Sequence, residues 1–138
     1  MVSIDGGTPT RVVNRFTSSP TLSPDGLAVA FDSRDDHNRP VFVICNLPDC
    51  SSPRTLAPLQ APGGVKKWTP DSKGIAYVAG TPPNIWVLPL EGKPVRQLTH
   101  FTDNREIADL AWSRDGTRLA IARVTTTNDI VLFKGLRR

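Results

Sequence analysis

Residues 19–33 read SPTLSPDGLAVAFDS, and the pattern returns as VKKWTPDSKGIAYVAG over residues 65–80 and LAWSRDGTRLAIAR over residues 110–123. The three turn aspartates, Asp25, Asp71 and Asp115, stand 46 and 44 positions apart. Two residues before each comes a hydroxyl side chain: Ser23, Thr69 or Ser113. Ahead of those stand Leu22, Trp68 and Trp112. Four positions past each aspartate begins an apolar triplet, Val29-Ala30-Phe31, Ile75-Ala76-Tyr77 and Leu119-Ala120-Ile121. A fixed period of this length identifies a repeat architecture before any local structure is assigned.

Working outward, a second apolar run follows each triplet: VFVICNL from Val41, NIWVLPL from Asn84 and NDIVLF from Asn128. After the first two comes a short segment combining Pro, Arg and apolar residues: PRTL at Pro53 and PVRQL at Pro94. PTRVV at Pro9 resembles both and precedes the first turn, so the chain opens partway through a repeat. None of these segments carries a helical period. In the Ser/Thr-Pro-Asp-Gly turn, Pro suits the second position and Gly tolerates positive φ, while the Asp carboxylate can accept backbone N–H groups. The second strand alternates small and large apolar residues. A third, apolar on both faces, suits a central position, and the fourth, short and marked by Pro and Arg, suits an edge.

Four antiparallel strands every 40 to 45 residues are the signature of a β-propeller blade. The expected fold is therefore all-β, with about three four-stranded antiparallel sheets as blades of an incomplete or open propeller. Residues 1–17 would end a preceding blade, residues 18–60 and 61–104 would each form a blade, and residues 105–138 a terminal three-stranded one. Closed propellers contain about four to eight blades, so three should not ring an axis alone. The chain reads as part of a larger propeller, completed by missing blades or by a second copy. Uncovered blade faces should make it self-associate.

The turn motifs SPDG, TPDS and SRDG with their apolar triplets resemble the WD-repeat-like blades of the TolB-type propeller family. Similar blades occur in relatives of dipeptidyl peptidase IV and in bacterial receptor-type Ser/Thr kinases. NDIVLFKGLRR is similar to the closing blade of propellers that end such kinase or regulator chains. Leu22 departs from the family's tryptophan, Ser72 from its turn glycine and Arg114 from its proline. The resemblance implies a bacterial, extracytoplasmic scaffold or sensor that binds a protein or small ligand at the propeller mouth.

Composition agrees with an all-β chain. Among 138 residues there are 13 prolines and 10 glycines, whereas Glu and Gln occur twice each and Met only at the start. Helix-surface formers are scarce, which disfavours bundles and βαβ enzyme cores. A 38% hydrophobic content supports a core. The longest apolar runs are strand-sized, short of the roughly 20 residues a membrane helix needs. The opening MVSIDGGTPTRVV has neither the basic nor the apolar region of a secretory signal. Seventeen basic and 13 acidic residues give a net charge of +4, too little for a nucleic-acid footprint. A nucleic-acid binder would have to use Arg11, Arg54, Arg96 and Arg137-Arg138.

No residue set points to catalysis, a cofactor or a metal. G-x-S-x-G, P-loop, H-E-x-x-H, G-x-G-x-x-G, H-R-D and D-F-G are all missing from the sequence. Asp32, Asp35 and Asp36 cluster with Ser33, Arg34 and His37. Clustered carboxylates can hold Ca²⁺ or a catalytic water, but a solvated loop is commoner. Zinc would need more than Cys45, Cys50, His37 and His100, whose spacing is wrong. Cys45 and Cys50 read either as a disulfide across a hairpin-sized loop or as two reduced thiols. The recurring Asp25, Gly26, Asp71, Asp115 and Gly116 read as turn structure. Trp68 and Trp112 share a repeat position, which favours inter-blade packing, and Trp86 could also stack a ligand.

Overall fold

A computed structural model describes residues 1–2, 4–50, 52–56 and 64–127. Its described residues form ten strands and no helix, arranged as separate antiparallel sheets that follow one another along the chain. The first sheet comprises β1 (Ser18–Leu22), β2 (Ala28–Arg34), β3 (Pro40–Asn46) and β4 (Arg54–Leu56), hydrogen-bonded in that order. A second repeats the order with β5 (Lys66–Trp68), β6 (Gly74–Ala79), β7 (Asn84–Pro89) and β8 (Arg96–Gln97). The third pairs β9 (Glu106–Trp112) with β10 (Leu119–Val124). The run beginning at Asn128 lies outside the described residues. This is an open propeller, not a closed barrel.

Each strand's sequence suits its place. The doubly apolar runs form the inner strands β3 and β7, whereas the Pro/Arg segments form edges of three and two residues. Such short edges expose few unpaired N–H and C=O groups. Register assigns each side chain to one face: Ala30 lies opposite Ile44, Ala76 opposite Val87 and Ala120 opposite Ala111. The first two pairs face the following sheet, and the third is exposed. Their neighbours lie on the opposite faces: Ile75 with Leu88 and Leu119 with Trp112 against the preceding sheet, and Val29 with Cys45 on the outer side of the first.

The sheets stack through two apolar layers. Between the first and second sheets, Ala30, Phe42, Ile44 and Leu56 meet Trp68 and Ile75. Between the second and third, Ala76, Ile85 and Val87 meet Ile107 and Leu110, with Trp112 and Leu119 packed alongside. The small Ala at each centre leaves room for the next sheet's Trp, as close packing requires. A third layer, of Phe31, Val43, Cys45 and Cys50, lies on the outer face of the first sheet and is covered by Val12 and Val13. Residues 9–13 form no strand. Within PTRVV, Val12 and Val13 contribute apolar side chains to this layer, while the Thr10 backbone pairs with Met1.

Candidate functional site

The three aspartate turns share one hydrogen-bond plan. In the first, the Ser23 hydroxyl donates to Asp25 Oδ1 at 2.5 Å and accepts the Ala28 N–H at 2.9 Å. Asp25 also takes the Leu27 N–H at 3.0 Å. Thr69 and Lys73 serve Asp71 at 2.5 and 3.0 Å, and Ser113 and Thr117 serve Asp115 at 2.5 and 3.1 Å. Each carboxyl is held below its ordinary pKa, chiefly by its hydroxyl donor and then by the backbone N–H. Hydrogen bonds to the charged form favour it. In each turn it is Oδ1 that takes both the hydroxyl and the backbone N–H.

The turns are linked in series. Gly26, Ser72 and Gly116 occupy the same left-handed position, with φ of 73°, 60° and 71°. Ser72 Oγ accepts the Asp25 N–H at 3.1 Å, joining the first two turns. Gly116 sits so close to the second turn that an added Cβ would meet Pro70 at 3.0 Å.

Between neighbouring sheets this row opens into two related clefts. One, about 480 Å³, is lined by Asp25, Ser72, Arg54, Trp68 and Leu90. The next, about 460 Å³, has Asp71, Gly116, Arg96 and Trp112 at corresponding positions, with Lys73, Glu91 and Lys93 at the rim. Arg54 reaches across the first cleft to the Leu90 carbonyl at 3.4 Å. Glu91 is bracketed by Lys93 at 3.3 Å and Lys73 at 3.6 Å, and these cations lower its pKa. Trp68 closes the first cleft's floor by donating its indole N–H to the Thr21 carbonyl at 3.0 Å. The indole nitrogen of Trp112 is buried without a partner. Each cleft thus counts a guanidinium and an indole among its lining, and the guanidinium suits a carboxylate.

Other sequence candidates fall elsewhere. Cys45 and Cys50 are disulfide-bonded, Cα to Cα 5.0 Å, within the outer layer of the first sheet. Asp32, Asp35 and Asp36 do not converge. Asp35 closes its own turn by accepting the N–H groups of His37 at 2.9 Å and Arg39 at 2.8 Å. Asp32 instead points across the sheet gap to Lys66 at 2.8 Å, and Ser33 donates to the Phe16 carbonyl at 2.9 Å. Among the described residues no three His, Cys, Asp or Glu side chains gather as a metal site. Trp86 donates to the Ala79 carbonyl at 3.2 Å. It lines a shallow groove with Pro82, His100 and Phe101. Arg11 donates to Asn14 Oδ1 at 3.0 Å, and Arg54 and Arg96 lie in different clefts. Arg137-Arg138 lies outside the described residues.

Three polar constellations escaped the sequence reading. Lys66, with its side chain only 6% exposed, ties the second sheet to Asp32 of the first and lies 5.2 Å above the Phe42 ring. Arg123 stacks 3.8 Å from the Phe101 ring centre and binds Asp103, which Arg105 also holds at 3.1 Å. Those bonds, Arg123 foremost and then the Arg105 backbone N–H, bring the Asp103 carboxyl down to about 2. Buried Asn84 accepts from the Phe101 N–H at 2.7 Å and the Thr99 hydroxyl at 3.0 Å, anchoring the loop after β8. The signal was available for Asn84 alone, because two of the second apolar runs begin with Asn.

Compared by sequence, the chain matches no protein-family model and no curated protein. Its structure is similar to that of TolB from Acinetobacter baumannii, with 23% identity, a TM-score of 0.59, and coverage of 83% of this chain and 27% of that one. It is also similar to an acylaminoacyl peptidase from Pyrococcus horikoshii, with 20% identity, a TM-score of 0.55, and coverage of 88% of this chain and 19% of that one. The fold is that of a TolB-like propeller. The chain spans about a quarter of the length of TolB and less of the peptidase.

Proposed function

We propose that the chain is a non-catalytic binding module: blades of a larger TolB-like propeller whose mouth takes a protein segment or small ligand. One observation carries this reading. The same positions build two successive clefts, Arg54 with Trp68 and Arg96 with Trp112, while each nearby aspartate accepts hydrogen bonds within its own turn. A guanidinium and an indole recognise without reacting. Exposure to an extracytoplasmic, oxidising setting fits the Cys45–Cys50 bond, since disulfides persist there.

Titrating the ¹⁵N-labelled chain with short acidic peptides tests the proposal. Shifts should concentrate at the Trp68 and Trp112 indoles and the Arg54 and Arg96 amides, and the Arg96→Ala variant should bind at least about tenfold more weakly. No shifts, or shifts confined to the His37 loop, would remove it. A second reading, the accessory propeller of an enzyme whose catalytic domain lies outside this chain, is favoured by the likeness to the peptidase. Nothing of that kind speaks for a kinase. An adjoining hydrolase-coding segment in the gene would favour this second reading.

A further inference from the structure

The two clefts are built from equivalent positions, but their donors are not equally engaged. In the first, Arg54 Nη1 donates across the gap to the Leu90 carbonyl at 3.4 Å, and the Trp68 indole N–H donates to the Thr21 carbonyl at 3.0 Å. In the second, the exposed Arg96 side chain makes no hydrogen bond or ion pair among the described residues. The Trp112 indole N–H is buried without a partner. Lys67 holds the position that Thr21 holds in the first repeat, yet its carbonyl does not take the Trp112 N–H. A buried N–H without an acceptor has given up its bond to water for nothing.

The other charges of the second cleft have partners. Glu91 lies between Lys93 at 3.3 Å and Lys73 at 3.6 Å. Asp71 and Asp115 each accept a hydroxyl and a backbone N–H within their own turns. Of the three cations in the described lining, Arg96 alone has no ion-pair partner. A guanidinium is a planar fork that matches both oxygens of a carboxylate. Val87 and Pro89 give the same cleft apolar wall. Its volume, about 460 Å³, lies within the roughly 300–1,000 Å³ of small-ligand sites.

We propose that the second cleft is the module's primary site, a carboxylate-binding site in which Arg96 takes the carboxylate and Val87 and Pro89 hold the carbons next to it. The first cleft is a weaker copy, latched by Arg54. To bind there, a carboxylate must displace the Leu90 carbonyl from Arg54, and this exchange cancels part of the gain; Arg96 gives up only water. The Trp112 nitrogen is shielded from water, so its indole reports the ligand and Arg96 contacts it. This inference rests on the reading of the chain as a binding module, and it names the site and the ligand group.

Titration of the full ¹⁵N-labelled chain tests it with three probes. N-acetyl-leucine presents a terminal carboxylate, N-acetylglutamic acid α-amide a side-chain carboxylate, and N-acetyl-leucine amide none. The Trp112 indole and Arg96 signals should saturate at concentrations at least about tenfold below those that move Trp68 and Arg54, with an acid and not with the neutral amide. Which acid does so tells a chain end from an acidic side chain. Arg96→Gln should remove these early shifts with the strand circular dichroism kept, because the side chain it replaces bonds to no described residue. Arg54→Gln should leave them unchanged. Clefts that fill together, an amide that binds as well as the acids, early shifts that survive Arg96→Gln or vanish in Arg54→Gln, or no shift from either acid would each overturn the proposal. Acidic peptides that still bind in any of these cases leave the module reading standing, so the two failures are distinguishable.

Discussion

Replacing Gly26 and Gly116 by alanine, one at a time, separates a turn's own conformation from its contact with the neighbouring blade. Both glycines occupy the same turn position, with φ of 73° and 71°. An alanine at either site bears the left-handed backbone cost of about 1–2 kcal/mol. That Ser72 holds the position at φ 60° shows the turn can form with a side chain there. The surroundings differ. A Cβ on Gly26 meets nothing within 4 Å, but on Gly116 it meets Pro70 Cβ at 3.0 Å and Cγ at 3.1 Å. Proline cannot swing away, so crowding adds about 1–3 kcal/mol. Gly116→Ala should then cost about 2–5 kcal/mol, against about 1–2 for Gly26→Ala. Urea denaturation followed by tryptophan fluorescence measures both. Equal costs within about 0.5 kcal/mol would refute the reasoning, because the row of turns would then not be in contact.

Lys66→Met should destabilise the chain by about 3 kcal/mol by leaving Asp32 unpaired between sheets, and adding Asp32→Leu should recover most of the loss in the same denaturation assay. Reduction of Cys45–Cys50 should lower stability by about 2 kcal/mol in the chain-entropy account, given the short loop closed; urea midpoints with and without reductant measure this. Acid should destabilise the fold through Asp103 and the turn aspartates. Their folded pKa values lie below the ordinary 3.8, so their stabilisation is present above about pH 4 and is lost as pH falls towards 2. Melting temperature between pH 5 and 2 should fall less steeply in Asp103→Asn than in the parent.

Legibility in the sequence followed the range of the interaction. The aspartate turns are closed by atoms at most five residues apart, so SPDG, TPDS and SRDG announce them directly. Strand order was legible for a similar reason: each apolar run pairs with the next across a short turn. Asp32 looked like one of three clustered carboxylates. Its partner Lys66 lies 34 positions away, on another sheet, and no local pattern encodes that pairing. Arg123 and Asp103 are 20 apart and meet only because β9 and β10 carry them to one corner. The clefts were invisible because each joins residues of two repeats, Arg54 from one and Trp68 from the next.

By itself the sequence determined the repeated unit, its turns and the alternation of faces, since those depend on dihedral preference and on period-two burial within a few residues. Only the tertiary structure decided which of those faces is covered. Ala30, Ala76 and Ala120 share position and chemistry, yet two lie in a dry interface and the third in solvent. Burial belongs to the neighbour that arrives, and a residue cannot announce whether one does.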